Sequence, residues 1–182
     1  MPRWLLIGLF VIVIATFAMT YQNVQRFKTP EDCEKAGIAL EAADFNLAID
    51  HYLLCLDAGD LPMEILAQAY HGLGIAYTAK GNHYQAIKDY SEAIRLSPDN
   101  AWTYNNRCWS YGQLRRAEEA LQDCDVALRL LPDRPEILDS RALAYWLLGD
   151  KEKARQDLER AHQLDSSSPT WEERFREFEE MF

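Results

Sequence analysis

The chain has 182 residues, a formal net charge of −10 and 48% hydrophobic residues. That length accommodates one medium-sized folded unit and leaves no room for a second large domain. With 29 acidic against 19 basic side chains, the chain would repel a phosphate backbone, which argues against nucleic acid as a partner.

At the N-terminus, Arg3 precedes an uncharged run over residues 4–21, WLLIGLFVIVIATFAMTY. At about 1.5 Å per residue a helix of this length just crosses a hydrocarbon core of ~30 Å. Residues 1–21 are therefore read as a single transmembrane anchor. The alternative is a cleaved secretory signal, with Arg3 as its basic start and Thr16-Phe17-Ala18 as a poor cleavage site. The run is longer than the usual apolar region of about 7–15 residues and has no A-x-A ending, which favours the anchor. Arg3 on one side and Arg26, Lys28 and Lys35 on the other leave the positive-inside count undecided. The short tail before an export-like segment favours placing the remainder outside the cytoplasm, on the periplasmic side; the cytosolic face is the alternative.

Residues 22–28 form a polar linker spanning at most about 25 Å, which keeps the rest of the chain close to the bilayer. Thr29-Pro30-Glu31-Asp32 reads as a helix start, with Thr29 as N-cap, proline at the first helical position and acids at the positive end of the dipole. A helical hairpin then extends to about Gly59, turning at Ala43-Asp44-Phe45, and Leu61 to Leu66 is read as a spacer.

Residues 67–100 carry the clearest pattern. Apolar side chains at 70, 73, 77 and at 86, 87, 90, 93, 94 trace one face of each of two successive helices. Gly81-Asn82 supplies the turn, and Leu96-Ser97-Pro98 ends the second helix. Gly74, Ala86 and Ala93 are small and let the backbones approach. A step of 34 residues reproduces the frame: Tyr77, Tyr111 and Tyr145; Ala86, Ala120 and Ala154; Ala93, Ala127 and Ala161; Leu96, Leu130 and Leu164. Pro98 is matched by Pro132, and the last copy has Ser166 there.

Within residues 67–100, Tyr70, Leu73, Gly74, Tyr77, Ala86, Tyr90, Ala93 and Pro98 fall at positions 4, 7, 8, 11, 20, 24, 27 and 32. In these positions the chain resembles the tetratricopeptide repeat family. The resemblance implies an all-α, right-handed superhelical solenoid of about four helix–turn–helix units, at about 29–62, 67–100, 101–134 and 135–168. The first is degenerate, with Asp32 at position 4, Ala36 and Ala39 at 8 and 11, and Ala48, Tyr52 and Cys55 at 20, 24 and 27. A degenerate first unit is what a solenoid cap looks like; an unrelated helical hairpin is the alternative. In the two later units Arg107 and Arg141 replace the leucine of position 7, and Cys108 and Ala142 the glycine of position 8.

Residues 169–182 include Trp171, Phe175, Phe178 and Phe182 at amphipathic spacing, with Thr170 and Glu173 placed as a capping box. A helix capping the open end of the last unit is the main expectation. A helix that docks into a partner or into the chain's own groove is the sharper one. Its acidic outer face argues against binding anionic lipid.

No catalytic constellation emerges. His51, His71, His83 and His162 are scattered, there is no H-E-x-x-H or C-x-x-C, and Asp89, Asp123 and Asp157 recur as repeat features. A non-enzymatic protein without cofactor or metal is expected. Within the frame that the resemblance supplies, Cys108 and Cys124 occupy positions 8 and 24, on facing sides of one helix pair and within reach of a disulfide. Cys33 and Cys55, at positions 5 and 27, aim less directly at each other. Free, buried cysteines are the alternative for both pairs.

Tetratricopeptide solenoids line a concave groove with positions 2, 5, 6, 9, 12 and 13 of each first helix. The resemblance thus assigns a peptide-binding groove to His71, Ile75, Thr78, Trp102, Asn105, Asn106, Trp109, Gln113, Asp139, Leu143 and Trp146. Aromatic area beside side-chain amides suits an extended or helical peptide; packing of the tryptophans against neighbouring helices or the C-terminal helix competes. Family members that grip acidic chaperone tails use lysine, arginine and asparagine at positions 5 and 9. Here those positions hold Cys33, His71, Asn105, Asp139 and Gly37, Ile75, Trp109, Leu143, which argues against such a clamp. The reading is a membrane-tethered adaptor or scaffold that binds a protein or peptide, for assembly of a membrane or envelope complex. A regulatory subunit of a membrane-associated enzyme and an organelle-surface receptor with cytosolic repeats are the alternatives.

Overall fold

The computed structural model describes residues 31–181. The anchor read at 1–21, the linker at 22–28 and the Thr29-Pro30 helix start lie outside the described residues. Among the described residues no helix is long and apolar enough to cross a membrane. The described residues form α-helices and no strands: α1 (Glu31–Glu41), α2 (Phe45–Asp57), α3 (Met63–Ala79), α4 (His83–Leu96), α5 (Ala101–Gln113), α6 (Ala117–Leu130), α7 (Pro135–Leu147), α8 (Lys151–Leu164) and α9 (Trp171–Met181). Consecutive helices pair as α1/α2, α3/α4, α5/α6 and α7/α8, and each pair stacks on the next to give a solenoid.

One expectation is corrected by the helix bounds. The stretch read as a spacer, Leu61 to Leu66, is mostly helix: α3 begins at Met63, behind Pro62, and adds a turn to the first helix of its unit. The N–H groups of Ile65 and Leu66 both bond to the Pro62 carbonyl, so the added turn is backbone-satisfied from its start.

The turn within each pair is built at the same place in the frame. Ala43, Gly81, Arg115 and Gly149 all have positive φ, between 57° and 81°. Glycine takes this conformation without steric cost, whereas alanine and arginine adopt it at a cost of roughly 1–2 kcal/mol. The next residue caps the second helix: Asp44, Asn82 and Asp150 accept from the backbone N–H three residues on, at 3.1, 3.3 and 3.2 Å. Arg116 stands in that place in the α5/α6 pair and gives no side-chain cap.

Packing within a pair relies on small residues. Ala86, Ala120 and Ala154 are fully buried, as are Ala93, Ala127 and Ala161. At positions 8 and 24 the contact is Gly74 against the buried Tyr90, where a Cβ on the glycine would overlap the tyrosine ring. Cys108 and Cys124 occupy the same slot in the next pair and are bridged there, with Cα atoms 5.5 Å apart. Ala142 and Leu158 fill it in the last. The second bridge joins Cys33 of α1 to Cys55 of α2, with a Cα separation of 4.9 Å. The less direct aim read from positions 5 and 27 is thereby corrected: α1 and α2 approach closely enough for that pair as well.

Arginine at position 7 has a structural reason. Arg107 donates to both carboxylate oxygens of Asp123, at 2.6 and 2.8 Å, and to Ser91 Oγ of the preceding unit at 2.9 Å. Arg141 repeats this with Asp157, at 2.8 Å to each oxygen, and with Asp125 of the preceding unit at 2.9 Å. Such bidentate pairs tie the two helices of a unit to each other and to the unit before.

The 67–100 unit carries Leu73 instead, and its Asp89 is 6% exposed. Gln85 donates to both Asp89 oxygens at 3.2 Å in place of an arginine. Burial pushes the Asp89 carboxyl up from its ordinary value to about 6. Because the folded value lies above the unfolded one, the stability this group contributes is fully present below about pH 4 and is lost as the pH rises through about 6. Asp89→Asn should accordingly raise stability at pH 7 by about 2 kcal/mol and flatten the dependence between pH 4 and 7. Urea unfolding at pH 5 and pH 7 checks this; parallel pH profiles for the two proteins would contradict it.

Candidate peptide-binding groove

The first helices α3, α5 and α7 lie side by side, so positions one helical turn apart on each fall on a shared face. The residues assigned to a groove from sequence separate into three groups on that face.

His71, Thr78 and Asn105 turn toward the seams between units. His71 Nδ1 lies 2.9 Å from Thr103 Oγ1, and its ring is 5.9 Å from that of Tyr90. Burial lowers the pKa of His71 and so favours the neutral ring. Thr78 Oγ1 sits between Tyr90 Oη at 3.1 Å and Ser110 Oγ at 3.2 Å, joining α3, α4 and α5. Asn105 is 7% exposed, and its Oδ1 has no hydrogen-bond partner among the described residues.

Ile75, Trp102, Asn106 and Trp109 remain partly accessible. Ile75, Asn106 and Trp109 line a cavity of about 200 Å³ between α3 and α5. A larger one of about 650 Å³ continues past Ile75 and His71 to Tyr52 and Met63. Trp102 lies toward the loop before α7, where the Arg134 guanidinium is 5.2 Å from its ring centroid.

Gln113, Asp139, Leu143 and Trp146 are covered by α9. α9 packs on the last unit, as a cap would, and does so by lying in the chain's own groove, the sharper of the two expectations. From Trp171 beside the end of α8, α9 crosses α7 and reaches the C-terminal end of α5. Phe178 is fully buried with Leu143 and Leu158, its ring 5.7 Å from that of Trp146. Gln113 Nε2 donates to Met181 Sδ at 3.2 Å. Leu143 is sealed from the other side by Gly112, where an added Cβ would stand 2.8 Å from Leu143 Cδ2. The start of α9 is fixed by the capping box read from sequence, Thr170 N–H to Glu173 at 2.8 Å and the reciprocal bond at 3.4 Å.

Arg174 was not among the residues read from sequence. Its Nε donates to Asp139 Oδ1 at 2.6 Å and its Nη2 to Asp139 Oδ2. The guanidinium lies 5.9 Å from the ring centroid of Trp109 and 5.0 Å from that of Phe178. Burial raises the pKa of Asp139, and Arg174 opposes that rise.

Residues 67–100 and 135–168 each match the tetratricopeptide repeat family model. Hsp70-Hsp90 organizing protein 3 of Arabidopsis thaliana is 42% identical over 55 residues, which are 30% of this chain and 10% of that relative. The chain thus matches about a tenth of the length of that curated protein. The first TPR of Spaghetti (RPAP3), bound to HSP90 peptide SRMEEVD, superposes with a TM-score of 0.59 over 64% of this chain and 93% of that one, at 24% identity. A tetratricopeptide repeat protein from Parabacteroides merdae gives 0.67 over 83% of this chain and 59% of that one, at 22% identity. The chain therefore carries tetratricopeptide repeats in an all-helical solenoid.

Proposed function

We propose that this repeat chain is an adaptor that binds a segment of a partner protein in the groove over α3, α5 and α7, without chemistry of its own. The observation that carries this reading is the open cavity between α3 and α5, where Ile75 and Trp109 offer apolar area and Asn106 offers a side-chain amide. The Spaghetti neighbour is a repeat domain with a peptide bound. Its peptide is acidic toward the C-terminus, whereas the charged residues lining the cavity between α5 and α7 here are Glu136, Asp139 and Asp165, so an acidic tail fits this groove poorly.

We place the adaptor at a membrane, tethered through residues 4–21 and with its repeats on the extracytoplasmic side, in assembly of a membrane or envelope complex. The uncharged run and the bridged cysteine pairs support that placement. Photo-crosslinkers placed at Asn106 and, as control, at the exposed Lys88 on α4 test the groove in the full chain in cells. A protein adduct should form from position 106 and not from 88, and Trp109→Ala should reduce it at least five-fold with helical content unchanged. Adducts of equal yield from both positions would remove the groove from the account.

A further inference from the structure

The C-terminal half of the groove is already filled, and the way it is filled describes what it is built to take. Arg174 reaches the site on α9, directs both arms of its fork to one carboxylate, Asp139, and lies near the rings of Trp109 and Phe178. Both partners of the pair are largely enclosed, with side-chain exposures of 13% for Arg174 and 26% for Asp139.

Beside this pair lies a cavity of about 400 Å³ between α5, α7 and the end of α8. Its charged lining residues are Glu136, Asp139 and Asp165, and Asn105 and Asn106 line it as well. A wall of carboxylates against an apolar floor calls for a donor-rich cation.

α9 itself is an imperfect occupant. Among its residues Phe178 alone is fully buried. It carries Glu172, Glu173, Glu177, Glu179 and Glu180 on a chain that is already strongly acidic. Residues 165–170, exposed over 165–167, connect it to α8, so it can leave without unfolding a helix pair.

We propose that the α5/α7 half of the groove is a receptor for an arginine carried on an aromatic-faced amphipathic helix. In this inference, which rests on the groove reading above, α9 is its occupant in cis, and the partner is a protein helix of the same chemistry with fewer acids that engages by displacing α9. The tether gives α9 an effective concentration on the order of millimolar, so a free helix of equal intrinsic affinity competes poorly until α9 is weakened or the partner is better matched.

The probe is a fluorescent peptide spanning residues 169–182, titrated by anisotropy into the full chain. Arg174→Ala with Phe178→Ala in the full chain should release α9 and tighten peptide binding at least ten-fold over the unaltered chain. A peptide carrying Arg174→Glu should lose at least ten-fold against the released chain. Equal affinity of both chains for the peptide, or binding indifferent to that arginine, overturns the proposal. Should the double variant lose helical signal, amide exchange in full-length Asp139→Asn decides. There α9 should exchange at least ten-fold faster while α7 stays protected, and unchanged α9 exchange overturns the cis docking. Peptide binding that behaves as stated alongside an indifferent Asn106 crosslink would sink the partner reading alone. A crosslink lost in Trp109→Ala alongside a peptide that neither chain binds would sink this inference alone.

Discussion

Gly74→Leu is expected to destabilise the chain by about 4 kcal/mol, enough to unfold much of it at 37 °C. The side chain would enter the slot that the Tyr90 ring fills, and a Cβ alone already overlaps that ring. Overpacking a core ordinarily costs about 1–3 kcal/mol because neighbours shift by small amounts. Here the neighbour is a tyrosine that is 1% exposed and whose hydroxyl is tied to Thr78, itself tied to Ser110 of the next unit. Moving the ring forfeits its burial, about 2–3 kcal/mol, and breaks a hydrogen-bonded junction of three helices. Chemical denaturation measures the loss, and Gly74→Leu combined with Tyr90→Ala should recover part of it, since the two positions compete for one volume. Gly37→Ala supplies the contrast: nothing lies within 4 Å of a Cβ there, so this helix-interior glycine should gain about 0.5–1 kcal/mol on substitution. A Gly74→Leu chain as stable as Gly37→Ala would mean that the packing of α3 on α4 is misread.

The same residues show how far the sequence could be read. Gly74 with Tyr90, and the tyrosine and alanine columns at 34-residue spacing, determine helix pairing because their sizes recur in register, and size is what close packing selects. Arg107 and Arg141 were legible only as departures from leucine. The signal for their role was the constant separation from Asp123 and Asp157, sixteen residues in each unit, which places acid and base across one helix pair. Leu61 to Leu66 read as a spacer because the repeat frame starts at Ala67, although nothing after Pro62 stops a helix from starting early at Met63. The destination of α9 was the least legible element. Trp171, Phe175 and Phe178 declare an apolar face, but amphipathicity does not say which surface covers it. Arg174, one turn before Phe178 on the same face, was the residue that could have pointed to Asp139, and its pairing spans thirty-five residues of chain.

Reduction of the two disulfides should cost about 3 kcal/mol for each bridge, and the loss should fall on particular units. The bridges close loops with sequence separations of 16 and 22, for which chain-entropy reasoning gives values of this size. They lie in the α1/α2 and α5/α6 pairs, whose turns force Ala43 and Arg115 to positive φ where the other two pairs have Gly81 and Gly149. The α5/α6 turn also lacks a side-chain cap. These two pairs have weaker local encoding, and a crosslink compensates for a turn that does not favour itself. Thermal unfolding with and without reductant should therefore show a fall of several degrees in Tm. Amide exchange after reduction should rise first in residues 31–57 and 101–130 while 83–96 and 151–164 hold. The Cys108→Ala, Cys124→Ala chain should respond to reductant only in the first pair. In cells, a membrane-impermeant thiol reagent should label the chain only after reduction if the repeats face an oxidising compartment. Thiols that react without reduction once the membrane is broken, together with a Tm indifferent to reductant, would leave Cys108 and Cys124 as small buried residues in the Gly74–Tyr90 slot and return the repeats to the cytosolic face.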